Sequence, residues 1–430
     1  MKQILSVLWH YQAAKRLKFR SRTELDAHQQ RALARHLEWL TRTSPYYREF
    51  AGRPLCDFPR VDKQHCLQHF DAMNTAGLSL DHVQNVALRA EDSRDFSPTV
   101  GRYTVGLSSG TSGTRGVFVV SPEERAKWAG LALARLLPDG LLRGERIAFF
   151  LRAGSNLYST VRTPWISFRF FDLQAAFTPQ LSELDAYQPS IIVAPAQVLR
   201  EFALAQQAQR LHISPKRVIS VAEVLEASDR QLLAEHLVAP AEVYQATEGF
   251  LGYTCPHGTL HLNEEYLHVE PEWLDADRTR MVPIITDFSR KTQPVIRYRL
   301  NDILAVRHDP CPCGNAALAL SHIEGRCDDL LLLPSSQGRT IPVFADSLSR
   351  ILLRVLPLDL DYRLSQTGAH RLHLTCPLDQ TLHTRTIADL NRLLAELGVA
   401  SSTLEWSIEP VAPRFDPNAK RRRITRQETP

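Results

Sequence analysis

The sequence contains no apolar run of the ~20 residues that a helix needs to cross a bilayer. Its first residues, MKQILSVLWHYQAAKRLKF, also lack the long apolar stretch and the cleavage site of a signal peptide. We therefore expect a helix that rests on the protein's own surface rather than on a membrane. The seven cysteines are unevenly placed and odd in number, and with no export signal this predicts a reducing cytoplasm.

No charge of either sign dominates, because 51 basic and 47 acidic residues leave a net charge of +4. That excess is too small to indicate a nucleic-acid-binding protein by itself, so no nucleic-acid partner is expected. Internal repeats and long low-complexity segments are missing as well. A chain of 430 residues exceeds one ordinary core, which predicts two or three domains.

Three regions differ in their hydrophobic pattern. Residues 1–95 are predicted to be mainly helical, since 22–43 place apolar residues at helical spacing among charges. Residues 96–327 alternate short apolar runs with helical stretches, which indicates a core with a substantially parallel sheet. Residues 328–430 are predicted to form a small α+β domain. The predicted fold class is therefore α/β, with a large N-terminal domain followed by a small C-terminal one.

A glycine-rich loop, GLSSGTSGTRG at 106–116, lies between two runs of strand character, YTVGL and VFVV. Glycine allows close backbone approach, so the N–H groups and hydroxyls of such a loop can surround an anion. Neither the Walker motif nor the dinucleotide G-x-G-x-x-G motif is present. From these residues alone, the loop is either a phosphate-binding loop or a structural hairpin.

Five segments, in order, resemble motifs of the acyl-adenylate-forming superfamily. They are SSGTSGTRG at 108–116, with Arg115 in the basic position, YQATEG at 244–249, VIRYRLNDIL at 295–304, EGRCDDLL at 324–331, and PNAKRRR at 417–423. The CPCGN segment and the paired aspartates after Arg326 are similar to the phenylacetate–coenzyme A ligase branch. That branch includes deazaflavin-cofactor-adenylating synthetases and capsule-locus relatives.

The resemblance implies an enzyme that uses ATP to convert a small carboxylic acid into an acyl-adenylate and pyrophosphate. Aromatic residues at 155–173 favour an aryl or other planar, apolar acid, although they are equally typical of a core. The acyl group would then pass to coenzyme A, an acyl carrier protein or an amine. Two alternatives stay open: transfer of AMP to a hydroxyl of a cofactor-like acceptor, and a nucleotide-binding protein without catalysis.

The resemblance also assigns the phosphate and metal contacts. Thr247 would bind the α-phosphate, and Glu248 would hold Mg²⁺, a hard cation that prefers carboxylate oxygen. Lys420, on a mobile C-terminal domain, would bridge carboxylate and phosphate during adenylation. The alternatives are a helix N-terminus at Thr-Glu and a solvated or nucleic-acid-binding basic run at 420–423. The β- and γ-phosphates would meet the loop residues Ser108, Ser109, Gly110, Thr111, Ser112, Gly113 and Thr114.

Three further residues complete the expected nucleotide site. Asp302 would accept hydrogen bonds from both ribose hydroxyls, a role that suits a carboxylate, although an aspartate here also suits a turn. Arg326 would contact the ribose or the phosphates. Asp328 would be the hinge between the domains, because domain closure needs residues that absorb large dihedral changes at the end of an element.

A second group of residues is typical of a metal site. Cys255, His257 and His261 lie close together, and Cys311 and Cys313 follow some fifty residues later. Thiolates and an imidazole suit tetrahedral zinc, and four protein ligands would make the site structural. The resemblance to the ligase branch favours His261 over His257 as the nitrogen ligand. The alternative is a set of free buried cysteines.

Overall fold

The computed structural model describes residues 2–95, 97–108, 115–137, 139–152, 160 and 165–427. The N-terminal region is helical, as predicted. Its helices are α1 (Lys2–Arg16), α2 (Arg22–Thr43), α3 (Lys63–Gln68), α4 (Phe70–Met73) and α5 (Leu80–Asp92), with 3₁₀ turns at Arg48–Phe50 and Leu55–Asp57. In the described part of the chain, no helix has the length and apolar character of a membrane span.

The two runs around the glycine loop are strands, as their patterns predicted. A small antiparallel sheet contains β1 (Thr99–Val100), β2 (Tyr103–Leu107) and β3 (Val117–Val120). Helix α6 (Pro122–Leu136) follows directly, because Ser121 caps its first turn and forms a capping box with Glu124. The loop therefore joins two paired strands and precedes a firmly started helix.

The centre of the protein is a large twisted sheet whose first half is parallel. Its parallel strands are β4 (Glu145–Leu151), β5 (Ile166–Asp172), β6 (Ile191–Ala194), β7 (Arg217–Ser220) and β8 (Ala241–Ala246), in the order β5-β4-β6-β7-β8. Among the described residues, three helices lie between them in the chain: α7 (Phe177–Tyr187), α8 (Ala196–Gln207) and α9 (Ala227–His236). This half matches the predicted alternation of strands and helices.

The second half of the sheet is antiparallel, which corrects the expectation of a substantially parallel sheet. It contains β9 (Gly249–Thr254), β10 (Leu260–Leu262), β11 (Leu267–Trp273), β12 (Arg280–Asp287), β13 (Val295–Arg299), β14 (Asp302–Val306) and β15 (Ala319–Arg326). The reason is the short connections between these strands, which carry no crossover helix and so allow only antiparallel neighbours.

The C-terminal region has its own sheets and its own core. After a 3₁₀ turn at Cys327–Asp329 it contains β16 (Leu331–Pro334), β17 (Thr340–Val343), α10 (Ala345–Val355), β18 (Arg363–Gly368), β19 (Arg371–Thr375), α11 (Gln380–Glu396), a 3₁₀ turn at Ser401–Thr403, β20 (Glu405–Glu409) and β21 (Ile424–Arg426). Leucines of α10, α11, β18 and β19 are fully buried together. The domain boundary at 328 and the mobility of this region stay predictions.

Candidate nucleotide and acid site

A cavity of about 1150 Å³ lies where the parallel strands end. This edge is the usual ligand position in open α/β sheets. The lining includes seven of the residues that the sequence singled out, which are Ser108, Thr247, Glu248, Asp302, Arg326, Asp328 and Lys420. The other predicted loop residues, Ser109, Gly110, Thr111, Ser112, Gly113 and Thr114, lie outside the described residues.

The base of the glycine loop is closed by Ser108. Its backbone N–H donates to the Gly116 carbonyl at 2.7 Å, and its hydroxyl accepts from the Gly116 N–H at 2.8 Å. Arg115 donates to the Ser108 carbonyl at 3.0 Å and forms a two-point ion pair with Glu91 of α5, at 2.7 and 2.6 Å. A bidentate pair of this kind fixes the guanidinium in one orientation. Arg115 therefore anchors the loop to α5, a role that the sequence did not indicate.

Thr247 and Glu248 form the tight turn between β8 and β9. The alternative of a helix N-terminus is therefore wrong. Arg290 donates to the Glu248 carbonyl at 3.3 Å, and the Tyr298 phenol hydrogen-bonds the Glu248 carboxylate. Burial and the neighbouring Glu248 raise the pKa of Tyr298, so its hydroxyl stays protonated and can donate. This support holds the Glu248 carboxylate at the cavity wall.

Asp302 begins β14 and lies opposite Arg326 of β15 in the strand register. The Tyr244 hydroxyl donates to its Oδ2 at 2.7 Å. Asn301 donates to the Asp328 carboxylate at 2.5 Å, so the predicted hinge residue is tied to the residue before Asp302. Sequence analysis missed Tyr244 as a supporting residue, although it is the aromatic residue that opens the YQATEG segment.

Lys420 reaches the cavity because the loop that carries it is fastened to the large sheet. The Ala419 carbonyl accepts from Gln197 at 2.6 Å and from the Arg152 guanidinium. Glu223 in turn pairs with Arg152 at 2.9 Å and accepts from Gln197 at 2.9 Å. These three side chains come from the ends of β4 and β7 and from α8. Their contacts fix the position of Lys420 near the ends of the strands.

The charge of Lys420 is not neutralised within the protein. Among the described residues no carboxylate oxygen lies within ion-pairing distance of its ammonium. Burial, together with the cations Arg326 and Arg152, lowers the pKa of Lys420 to about 8, against the opposite pull of Asp302 and Glu223. An unpaired ammonium at a cavity wall is placed to meet an anionic ligand.

The neighbouring arginines have other partners. Arg421 and Arg423 pair with the fully buried Asp229 of α9, which also pairs with Arg200 of α8 at 3.2 Å. Burial alone would raise the pKa of Asp229, but these three guanidinium groups lower it. The alternative of a solvated basic run is therefore wrong for Arg421 and Arg423. The network joins the C-terminal region to the large sheet.

A candidate metal site lies at the other end of β9. The ligand atoms of Cys255, His261, Cys311 and Cys313 all lie within 4.8 Å of one another. Cys255 Sγ is 3.7 Å from Cys311 Sγ, and Cys313 Sγ is 3.4 Å from His261 Nε2. His257 is exposed and outside the cluster.

The orientation of His261 suits a ligand. Its Nδ1 lies 3.1 Å from the carbonyl oxygen of Ala317, which can only accept a hydrogen bond. The proton therefore belongs on Nδ1, and the lone pair of Nε2 faces the cysteines. Metal-binding histidines are commonly oriented by such a contact.

Comparisons with known proteins found one curated relative and several solved structures that are similar to this chain. No protein-family model matches the chain. The Phenylacetate-coenzyme A ligase of Thermus thermophilus is 25% identical over 95 residues, and this match spans only 20% of each chain. Among solved structures, a 2-hydroxyisobutyryl-CoA ligase in complex with 2-HIB-AMP is similar with a TM-score of 0.65 and 16% identity, over 94% of this chain and 88% of the ligase.

A second solved structure is also similar over most of its length. An acyl acid amido synthetase has a TM-score of 0.58 and 12% identity, over 89% of this chain and 86% of the synthetase. The chain therefore shares the fold of these two enzymes, as the resemblance in the five segments implied.

Proposed function

We propose that the protein is an adenylate-forming ligase that uses ATP to activate an apolar carboxylic acid. The acyl group then passes to a thiol or an amine. One observation carries this proposal: an unpaired ammonium, that of Lys420, lines the same cavity as Thr247, Glu248, Asp302 and Arg326. A planar aryl acid, which the sequence favoured, is one candidate substrate.

The adenylation step requires little covalent chemistry from the protein. A carboxylate oxygen attacks the α-phosphorus of ATP, a new O–P bond forms, and the bond to the β-phosphate oxygen breaks to release pyrophosphate. Negative charge is then shared between the acid and the five-coordinate phosphorus. The Lys420 ammonium would contact both partners and stabilise that charge, while Thr247 would orient the α-phosphate.

The remaining groups would hold the nucleotide. Asp302 would accept from the ribose hydroxyls, with Tyr244 fixing its carboxylate, and Arg326 would contact the ribose or phosphates. The Glu248 carboxylate is a suitable oxygen ligand for Mg²⁺, and a cation there would offset the charge of the triphosphate. The base of the loop at Ser108 would present the β- and γ-phosphate site.

The acceptor is proposed from the neighbours. A solved structure of the similar 2-hydroxyisobutyryl-CoA ligase contains CoA together with 2-HIB-AMP, and the amido synthetase makes an amide by its name. Coenzyme A is therefore the first acceptor to test, followed by an acyl carrier protein and amines. Transfer of AMP to a hydroxyl is a separate candidate reaction, and identification of an adenylylated product would distinguish it.

Acid-dependent exchange of labelled pyrophosphate into ATP tests the proposal directly. Adenylation is reversible, so a substrate acid should support exchange before any acceptor is added. A broad panel of aryl and alkyl acids should give at least one strong signal. Exchange without any acid, or adenylylation of a hydroxyl compound instead, would replace the proposal with the transferase alternative. A protein that binds ATP but shows neither reaction would be non-catalytic.

The pKa of Lys420 predicts how adenylation depends on pH. Because that pKa is lowered to about 8, the ammonium loses its proton as pH rises through 8. We expect kcat/KM for exchange to fall about tenfold per pH unit above that point, as for loss of one essential proton. The Lys420→Arg variant keeps its charge, so its profile should stay flat there even if its rate is low. If kcat/KM of that variant still falls above pH 8, another group is responsible for the titration.

We also propose that Cys255, His261, Cys311 and Cys313 bind one zinc ion. Three thiolates from two loops and an oriented imidazole fit tetrahedral zinc, and four protein ligands leave no position for a substrate. The ion would join the β9–β10 turn to the loop before β15.

Metal analysis should find about one zinc per chain, since four such ligands bind tightly. Replacing Cys311 and Cys313 by serine should remove the zinc and lower the melting temperature, while the folded fraction keeps its activity. The Cys56→Ser variant, at an exposed cysteine, should change neither quantity. Zinc-free protein of unchanged stability would contradict the assignment.

A further inference from the structure

The cavity continues beyond the proposed nucleotide site as an apolar arm. The arm lies between helix α6 and the parallel strands of the large sheet. Leu131 and Leu136 of α6 line one side of it. Ile147 of β4, Val193 of β6 and Val221, just after β7, line the other. The described walls of this arm are therefore apolar on both sides, with Phe149 of β4 and Phe168 of β5 among the sheet residues that line the cavity.

The two faces of the sheet are packed differently. On the face away from α6, Ala148, Ile192 and Val218 are completely buried at 0% exposure. On the α6 face of the same sheet region, Ile147 at 7%, Phe149 at 8%, Val193 at 7% and Val221 at 9% keep measurable exposure, whereas Ile191 and Ile219, farther from the strand ends, are 2% and 1% exposed. Protein interiors are normally filled to the density of organic crystals. The residual exposure therefore marks a space between α6 and the sheet that side chains leave unfilled.

The arm is extended along both of its walls. Along β4 it extends from Leu151, at the nucleotide end, back to Ile147, which is about 13 Å at the usual rise of a strand. Along α6 it extends from Trp128 to Leu136, which is about 12 Å. Both walls run away from Thr247 in the same direction. An acid whose carboxylate lies at Thr247 and Lys420 would therefore point its tail into the arm.

Charge distinguishes the two ends of the cavity. Glu124 and Lys127, in the first turns of α6, line it near the nucleotide end. Beyond Trp128, the described residues of α6 that line the cavity are Leu131, Ala132, Leu133, Leu136 and Leu137. The α6 wall beyond Trp128 therefore offers apolar side chains to the far part of a bound tail, and a buried polar group without a partner is costly.

We propose, on the basis of the ligase function above, that the acid has an extended and unsubstituted apolar tail, such as a medium-chain alkanoate. A compact aryl acid such as benzoate would fill only the part of the arm nearest the phosphates. Each further CH₂ that enters the arm leaves water, which is worth about a fourfold gain in kcat/KM. Selectivity for length then follows from the depth of the arm.

The test is pyrophosphate exchange with butanoate, hexanoate, octanoate, decanoate and dodecanoate, beside benzoate and phenylacetate. We expect kcat/KM to rise with chain length to an optimum at octanoate or decanoate, and to exceed the value for benzoate at least about tenfold. A clear preference for the aryl acids would overturn the tail assignment and leave the ligase function intact. No exchange with any acid would overturn both.

Variants at Ile147 test whether the tail of the acid binds in the arm. Ile147→Phe should move the optimum to shorter acids, while Ile147→Ala should move it to longer ones, and neither should change the KM for ATP. The matched control is Ile192→Ala, in the neighbouring strand on the fully packed face, which should lower stability without moving the optimum. Identical length profiles in all three variants would overturn the proposal.

Discussion

Replacing Lys420 by alanine should slow acyl-adenylate formation by about 10²–10³-fold, the usual cost of removing one preorganised donor to transition-state charge. In the proposed function the ammonium would contact developing charge on both the acid and the phosphorus, so its contribution would be larger in the transition state than in the bound state. ATP affinity should change much less. Acid-dependent pyrophosphate exchange measures the rate, and equilibrium binding of ATP measures the affinity.

The second half-reaction provides the control for Lys420→Ala. A synthetic acyl-adenylate bypasses the attack on ATP, so its conversion to the thioester should be largely spared. Equal losses in both half-reactions would point to a damaged fold instead. No loss in either would mean that Lys420 is only one residue of the basic segment, and Arg421, Arg422 and Arg423 would then be tested in turn. Because Arg422 already pairs with Asp329, we expect Arg422→Ala to affect stability before chemistry.

Replacing Glu248 by glutamine should reduce turnover at least about 10²-fold, since metal-held charge compensation is worth several kcal/mol. Glutamine keeps the size of the side chain and can still hydrogen-bond Tyr298, so the β8–β9 turn should survive. The variant should bind ATP and show a weakened dependence on Mg²⁺ concentration. Initial rates measured across a Mg²⁺ titration test this.

A matched variant separates metal binding from local structure. Tyr298→Phe removes the hydrogen bond to Glu248 but keeps the carboxylate, so it should cost less than Glu248→Gln and retain the Mg²⁺ dependence of the wild type. If Glu248→Gln works at a near-normal rate with Mg²⁺, the carboxylate is not the metal ligand. If the two variants behave alike, Glu248 acts by supporting the turn.

Local pattern was sufficient to predict much of the fold. The amphipathic period of residues 22–43 predicted a helix, and the structure has α2 with those bounds. The short apolar runs on both sides of the glycine loop predicted β2 and β3. These predictions succeed because each depends on neighbouring residues, whose spacing already matches the period of the element. The antiparallel half of the sheet was missed because strand direction depends on connections rather than on composition.

The residues of the candidate site also fall into those that the sequence could identify and those that it could not. Segment resemblance identified Thr247, Glu248, Asp302, Arg326 and Lys420 as candidates from residue type and order, and the structure gathers them around one cavity. It did not identify their supports, because Gln197 and Glu223 carry no distinguishing local signal, and the position of Tyr244 in the YQATEG segment does not show that its hydroxyl reaches Asp302. Each of these acts on a residue far away in the chain, as Gln197 does on Ala419.

By itself, the sequence determined the helical and strand elements and the chemical types of the site residues, because both are local properties. Tertiary structure decided which cation of the basic segment is left without an ion-pair partner among the described residues. Arg421 and Arg423 have Asp229, some 190 residues earlier in the chain, as their partner, whereas Lys420 has no ion-pair partner among the described residues. It also decided the shape of the apolar arm, since an unfilled space arises only from how α6 and the sheet pack together.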